Sequence, residues 1–264
     1  RPPRSTLFPY TTLFRSDCTN GVATLTDLIT EIQTKYGSPS IGSGTIYFTS
    51  SYSTDDFTIS NDSNYSPPQY NATWGRITDL TIQGGWNGRN DGSGYAISGS
   101  TTFNKPINIV WNGNLTVKNI TFEGGGATGS SGGIIITESG TDKTVTLEGV
   151  TAQNSNGNGA VIASASSSGA VTNTIAINNL SSFANNATTG LKIDNFKTVT
   201  LDRVAVSNNA TANVGCCCLK ARVSVCMTCK SHSPLARLAC VARQRTLLRT
   251  TSKVTPITRP QAIM

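Results

Sequence analysis

Histidine is all but missing from these 264 residues, and charged side chains make up only 13% of them. Between residues 17 and 215 there is one cysteine, Cys18, and no histidine; the other six cysteines and His232 all follow Gly215. That central stretch can therefore build no disulfide framework of its own and run no imidazole chemistry. Long apolar runs are missing too: none approaches the ~18 consecutive residues expected of a membrane-crossing helix, so no transmembrane segment is expected. Acidic residues are absent where basic ones gather. Residues 216–264 carry nine of the 21 Lys+Arg and no Asp or Glu, and residues 1–16 carry three Arg. Subtracting these 12 leaves nine basic residues against all 14 acidic ones in 17–215, a balance of −5. The overall charge of +7 is thus a property of the ends. The nine remaining basic residues, from Lys35 to Arg203, are scattered, and no nucleic-acid partner is expected.

What is present is a repeated figure. In Leu115–Phe122 the apolar residues stand at positions 1, 3, 6 and 8. Alternation at period two is one inward face of a strand, and the two-residue break between 3 and 6 is a corner. The figure returns at Val145, Leu147, Val150, Ala152; at Ile175, Ile177, Leu180, Ser182; and at Val199, Leu201, Val204, Val206. A shorter copy is Ile77, Leu80, Ile82. The four full copies are 30, 30 and 24 residues apart. A second apolar element precedes each of them, at Gly94–Ile97, Gly133–Ile136, Gly159–Ile162 and Gly190–Ile193. Three short strands per unit at this period predict stacked coils. Leu115, Val145, Ile175 and Val199 are expected in one inward column, and Ile120, Val150, Leu180 and Val204 in a second. Asn154, Asn185 and Asn208 follow the last strand of successive coils. They invite either a stacked amide ladder or the ordinary turn preference of asparagine.

Over residues 20–214 this pattern resembles the right-handed parallel β-helix of secreted and surface-anchored bacterial proteins. The runs Ile82-Gln83-Gly84-Gly85-Trp86 and Ile120-Thr121-Phe122-Glu123-Gly124-Gly125 are similar to the first rungs of that group. The expected fold class is all-β, a solenoid with an N-terminal capping helix. Thr24 precedes Leu25, Leu28, Ile29 and Ile32 at helical spacing, Asp27 completes a capping box, and Gly37 and Pro39 end the helix. Thr45–Thr49 and Phe57–Ile59 are strand candidates, and Asn61–Tyr70 and Trp86–Gly94 are expected loops.

Three segments follow: 1–16, 17–215 and 216–264. Thr6–Ser16, TLFPYTTLFRS, resembles the conceptual translation of a common short-read sequencing adapter over all eleven residues, so 1–16 is expected to lie outside the fold. Residues 216–264 change composition abruptly. When 215–231 are back-translated and read from the third base of each codon, compatible codons place an apolar residue beneath Leu191, Ile193, Val199, Leu201, Val204 and Val206. A frameshift near residues 207–215, hiding a further coil, is the reading this supports.

Chemistry is sparsely signalled. Cys216, Cys217, Cys218, Cys226, Cys229 and Cys240 include one CxxC pair of zinc-site spacing, but on the frameshift reading they are no metal site. Asp79, Glu148 and Asp202 fall at equivalent corners, and paired carboxylates are what glycosidases use. Glu148 and Asp202 would stand two coils apart, ~10 Å at ~4.8 Å per coil. Lys192, Asp194 and Asp202 could be compared with the acidic and basic residues of β-helix lyases, without calcium-loop spacing. Catalytic, cofactor and metal residues are all expected to be absent. The functional expectation is a fragment of an extracellular or cell-surface protein, non-catalytic, adhesin-like, structural or glycan-binding, with a polysaccharide or a host or cell-surface ligand as partner. The alternative is the N-terminal part of a β-helix polysaccharide lyase or glycoside hydrolase whose site lies on other coils.

Overall fold

A computed structural model describes residues 10–13, 25–36, 41–49, 57–64, 72–90, 95–124, 132–165, 172–217 and 222–227. Three strand positions recur along the chain, and each strand pairs with its counterpart one coil away. Face A is Ile41–Phe48, Ile77–Gln83, Leu115–Lys118, Thr144–Glu148, Thr174–Asn178 and the first half of Thr198–Ser207. Face B is Thr101–Phe103, Ile120–Glu123, Thr151–Gln153, Ser182–Ala184 and the second half of Thr198–Ser207. Face C is Phe57–Ser60, Ile107–Trp111, Gly132–Glu138, Asn158–Ser164, Thr189–Asp194 and Ala212–Cys217. All these pairings are parallel, and the fold is an all-β parallel solenoid.

The expected inward column is there. Leu115, Val145, Ile175 and Val199 are in register and buried, with Leu80 on the preceding coil. Ile82, Val117, Leu147, Ile177 and Leu201 form the next column along the same strands. Corners are made by residues in the left-handed region: Asn119, Gly149, Asn179 and Arg203 between faces A and B, and Asn154, Asn185 and Asn208 after face B. Asparagine and glycine tolerate this backbone best, which is why they punctuate the repeat. The wide first coils are filled by the rings of Phe48, Phe57 and Phe103, which meet edge-on at centroid distances of 5.4, 5.1 and 6.0 Å. The helix Leu25–Tyr36 buries Leu28 and Ile32 in this core, and Gln33 Nε2 donates to Thr73 Oγ1 at 2.8 Å. Its expected cap, Thr24, and its stop at Gly37 and Pro39 lie outside the described residues.

Four expectations are corrected. Leu180 is not inward: it is 74% exposed, while Ser181 is buried and Phe183 pairs with Ala152. This coil carries one extra corner residue, with both Asn179 and Leu180 left-handed. The slip places Phe183, rather than Ser182, in the core. Ser181 tolerates burial because its hydroxyl accepts from Val150 N at 3.0 Å and donates to Asn178 O at 2.7 Å. Second, Tyr95–Ile97 belongs to no coil. It pairs antiparallel with Trp86–Asn90, and the face C strand of its coil is Ile107–Trp111. Third, Leu80 aligns with Leu115, so Asp79 lies within the face A strand Ile77–Gln83, one residue before Leu80, and Gln83 takes the corner beside Lys118. Fourth, the asparagine ladder is built one residue further on. Asn186 N and Nδ2 both donate to Asn209 Oδ1 at 2.9 Å, and Ser155 N donates to Asn186 Oδ1 at 3.1 Å. Asn154, Asn185 and Asn208 supply the left-handed turn before it.

At the ends, Tyr10–Leu13 runs antiparallel to Thr45–Phe48. An open sheet edge accepts any extended segment. Strand pairing also continues past Gly215: Ala212–Cys217 pairs with face C, and Arg222–Met227 pairs with Thr198–Val204. Of the loop expected at Asn61–Tyr70, residues 65–70 lie outside the described residues.

Candidate functional site

The corner between faces A and B gathers the charges. Gln83, Lys118, Glu148 and Asn178 stack there, and Asp202 follows Leu201, the partner of Ile177. Lys118 Nζ lies 2.8 Å from Glu148 Oε2, joining two coils. Arg203 Nε meets Asp202 Oδ2 at 3.4 Å, and its Nη2 donates to Asn179 Oδ1 at 3.1 Å. Asn178 stands between Glu148 and Asp202, so the two carboxylates are two coil steps apart, ~10 Å. Inverting glycosidases hold theirs at roughly 6.5–9.5 Å and retaining ones closer still. Each carboxylate has a cation of its own. Asp79 is on the far side of the face, where its Oδ1 accepts Asn114 N and Nδ2, both at 3.1 Å. The three carboxylates expected at one edge are thus not brought together.

On face C, Lys192 Nζ and Asp194 Oδ2 pair at 3.1 Å, on the outward side of a strand whose Leu191 and Ile193 point into the core. Asp202 is not their partner; it pairs with Arg203. Among the described residues no three of His, Cys, Asp and Glu are grouped to hold a metal ion. Cys216, Cys217 and Cys226 fall within strands, while Cys218, Cys229, Cys240 and His232 lie outside the described residues.

One ionisable group escaped the sequence reading. Glu138 ends the strand Gly132–Glu138 at an inward position, two residues after Ile136, and is fully buried. Its Oε1 accepts the Gly140 amide at 2.8 Å. Among the described residues nothing bonds its Oε2. Burial pushes the carboxyl up to about 7 from its usual 4.5, while the Gly140 and Gly113 amides and the charge on Lys143 pull the other way. The signal was in the alternation Ile134, Ile136, Glu138, which puts a carboxyl where an apolar side chain is due.

The outward side of face A is a periodic polar surface. Thr45, Thr81, Thr116, Thr146, Ala176 and Thr200 form one column across six coils. Asn114, Thr144, Thr174 and Thr198 form a parallel one, two residues back along the strands. The hydroxyls of Thr144 and Thr174 are 3.0 Å apart, and Asn114 Oδ1 accepts Thr144 N at 3.0 Å. Around the corner, Thr102, Thr121, Thr151 and Ser182 continue the pattern on face B. Threonine packs well on a pleated surface, and stacked threonines hydrogen-bond one another.

No family model matches the chain, and no curated protein or solved structure does.

Proposed function

We propose that the chain is a right-handed parallel β-helix of the bacterial secreted or cell-surface kind, adhesin-like and non-catalytic, that displays its outer faces to a glycan. The observation that carries this reading is the threonine column of face A. Its backbone is fixed by the parallel ladder, so hydroxyls and methyls recur every ~4.8 Å along the stack and every ~6.7 Å across it. A rigid array loses little conformational freedom when it binds. A polysaccharide laid along the stack meets a threonine at five of the six coils, Ala176 being the exception, so weak contacts add by multivalency. Threonine supplies a donor, two acceptor lone pairs and a methyl, a set suited to sugar hydroxyls and ring C–H groups.

The test is retention of the purified chain on a panel of neutral and acidic polysaccharides, with the soluble products analysed. Binding without cleavage, lost in T116E/T146E, is the expected result. Cleavage products from any member of the panel would replace this reading with the lyase or hydrolase one. No retention on any member would leave a purely structural module.

A further inference from the structure

The turn that carries face C into the next face A holds a buried acid with unequal oxygens. Glu138 aligns with Trp111 on the coil before and with Ser164 on the coil after. Its Oε1 is anchored to Gly140 N, inside the turn it closes. The turn is tied forward through Asn173, which is itself fully buried. Asn173 Nδ2 donates to Gly140 O at 2.7 Å and to Ser164 Oγ at 2.9 Å, and its Oδ1 accepts Lys143 N at 2.8 Å. Gly140 leaves no room for adjustment: a side chain there would meet Asn112 Oδ1, Lys143 and Glu138 Oε1. Among the described residues, Glu138 is neighboured by Trp111 and Gly113 from the coil before, Gly140 and Lys143 from its own turn and Ser164 from the coil after, with Asn112 and Asn173 against Gly140. Of these, Lys143 alone carries a charge.

We propose that Glu138 is a proton-operated latch on this turn, closed when the carboxyl is protonated and loosened when it ionises. The neutral acid leaves one buried hydroxyl without a partner. The anion leaves a buried charge whose Oε2 accepts no hydrogen bond among the described residues, and the Gly140 and Gly113 amides and the Lys143 charge offset only part of that larger penalty. In an opened turn that oxygen regains its hydration. The direction follows from the upward displacement of the carboxyl, from 4.5 to about 7. Below the ordinary value both the closed and opened turn are protonated, and the closed form keeps its full stability. Through the window up to about 7, opening releases a proton, so closure weakens as pH rises. Acidification tightens the joint between the coils, and neutral or alkaline solution loosens it. This does not depend on the glycan reading.

Amide exchange of Ser139–Lys143 in the full chain tests the latch, corrected for the intrinsic pH dependence of exchange. The opening constant should rise about tenfold per pH unit between about pH 5 and pH 7, since one proton is released. Glu138→Gln, which keeps an oxygen for Gly140 N–H and cannot ionise, should show no such slope. Equal slopes in the two proteins, or a flat wild-type profile, would overturn the proposal. Should E138Q fail to fold, Lys143→Met decides. Removing the cation that favours the anion should move the wild-type transition to higher pH, and no movement or a downward one would overturn it.

Discussion

Leu180 shows how one residue can carry strain for the benefit of its neighbours. It is left-handed, at φ 62°, and 74% exposed. An ordinary L-residue in that region costs roughly 1–2 kcal/mol, and its exposure recovers little. Leu180→Asn should therefore stabilise the protein by about 1 kcal/mol, seen as a higher urea midpoint with an unchanged slope. At Val150 the balance is reversed. Its side chain is fully buried, and Val150→Asp would place an unpaired carboxylate in the core, costing roughly 3 kcal/mol or more. Two residues away, Glu148→Ala removes only the partly exposed ion pair to Lys118 and should cost no more than about 1 kcal/mol. Thermal unfolding of both variants checks the inside and outside assignment. Equal shifts in melting temperature would contradict it.

Elements are positioned by glycines as much as by apolar side chains. Gly133, Gly159 and Gly190 each lie one residue before an inward residue of face C: Ile134, Ala160 and Leu191. A Cβ on Gly133 would run into the Phe122 ring, and one on Gly190 would meet Val206 Cγ1 at 2.7 Å. At Gly133 and Gly190 the chain enters face C against side chains of face B, while a Cβ on Gly159 would meet Gly190 O and Asn186. Gly133→Ala should destabilise by roughly 1–3 kcal/mol through overpacking. Adding Phe122→Leu should cost less in that background than alone, because it makes room for the new methyl. A double-mutant cycle by urea unfolding measures the coupling, and strict additivity would argue against the contact. The hairpin of Trp86–Asn90 and Tyr95–Ile97 shows the opposite case. It is an element set outside the stack, reached through Gly85 at φ 75° with Ser98 N donating to Gly85 O at 2.6 Å.

For the whole molecule, stability comes from neighbouring coils, since each coil covers the next and none buries its own rims. Arg222–Met227 brings Val223 and Val225 into register with Val199 and Leu201. The shifted reading of 215–231 would instead offer an apolar residue at every inward position from Leu191 to Val206. A chain carrying that restored frame should melt at a higher temperature than the chain as written, in reducing buffer. Equal or lower melting would overturn the frameshift reading, as would raw reads with no base gained or lost near codons 207–215.

Period-two alternation determined the column of Leu115, Val145, Ile175 and Val199 on its own. A slip of one residue would expose every buried side chain of a strand, so alternation fixes which face Leu115, Val145, Ile175 and Val199 occupy. Glycine and asparagine at the corners were legible for the same local reason: their backbone tolerance belongs to the residue itself. Tertiary structure decided wherever two local patterns were equally good. Tyr95–Ile97 and Ile107–Trp111 both alternate, and it is the second that pairs with Phe57–Ser60 and Gly132–Glu138 on face C. Leu180 and Ser181 competed for one inward position, and the need to bury Phe183 next along the strand settled it. The pairing of Lys118 with Glu148 depends on groups 30 residues apart in the chain, and the burial of Glu138 on the coils to either side of it. Alternation fixes which way a side chain points; only the stacked coils fix what it meets there.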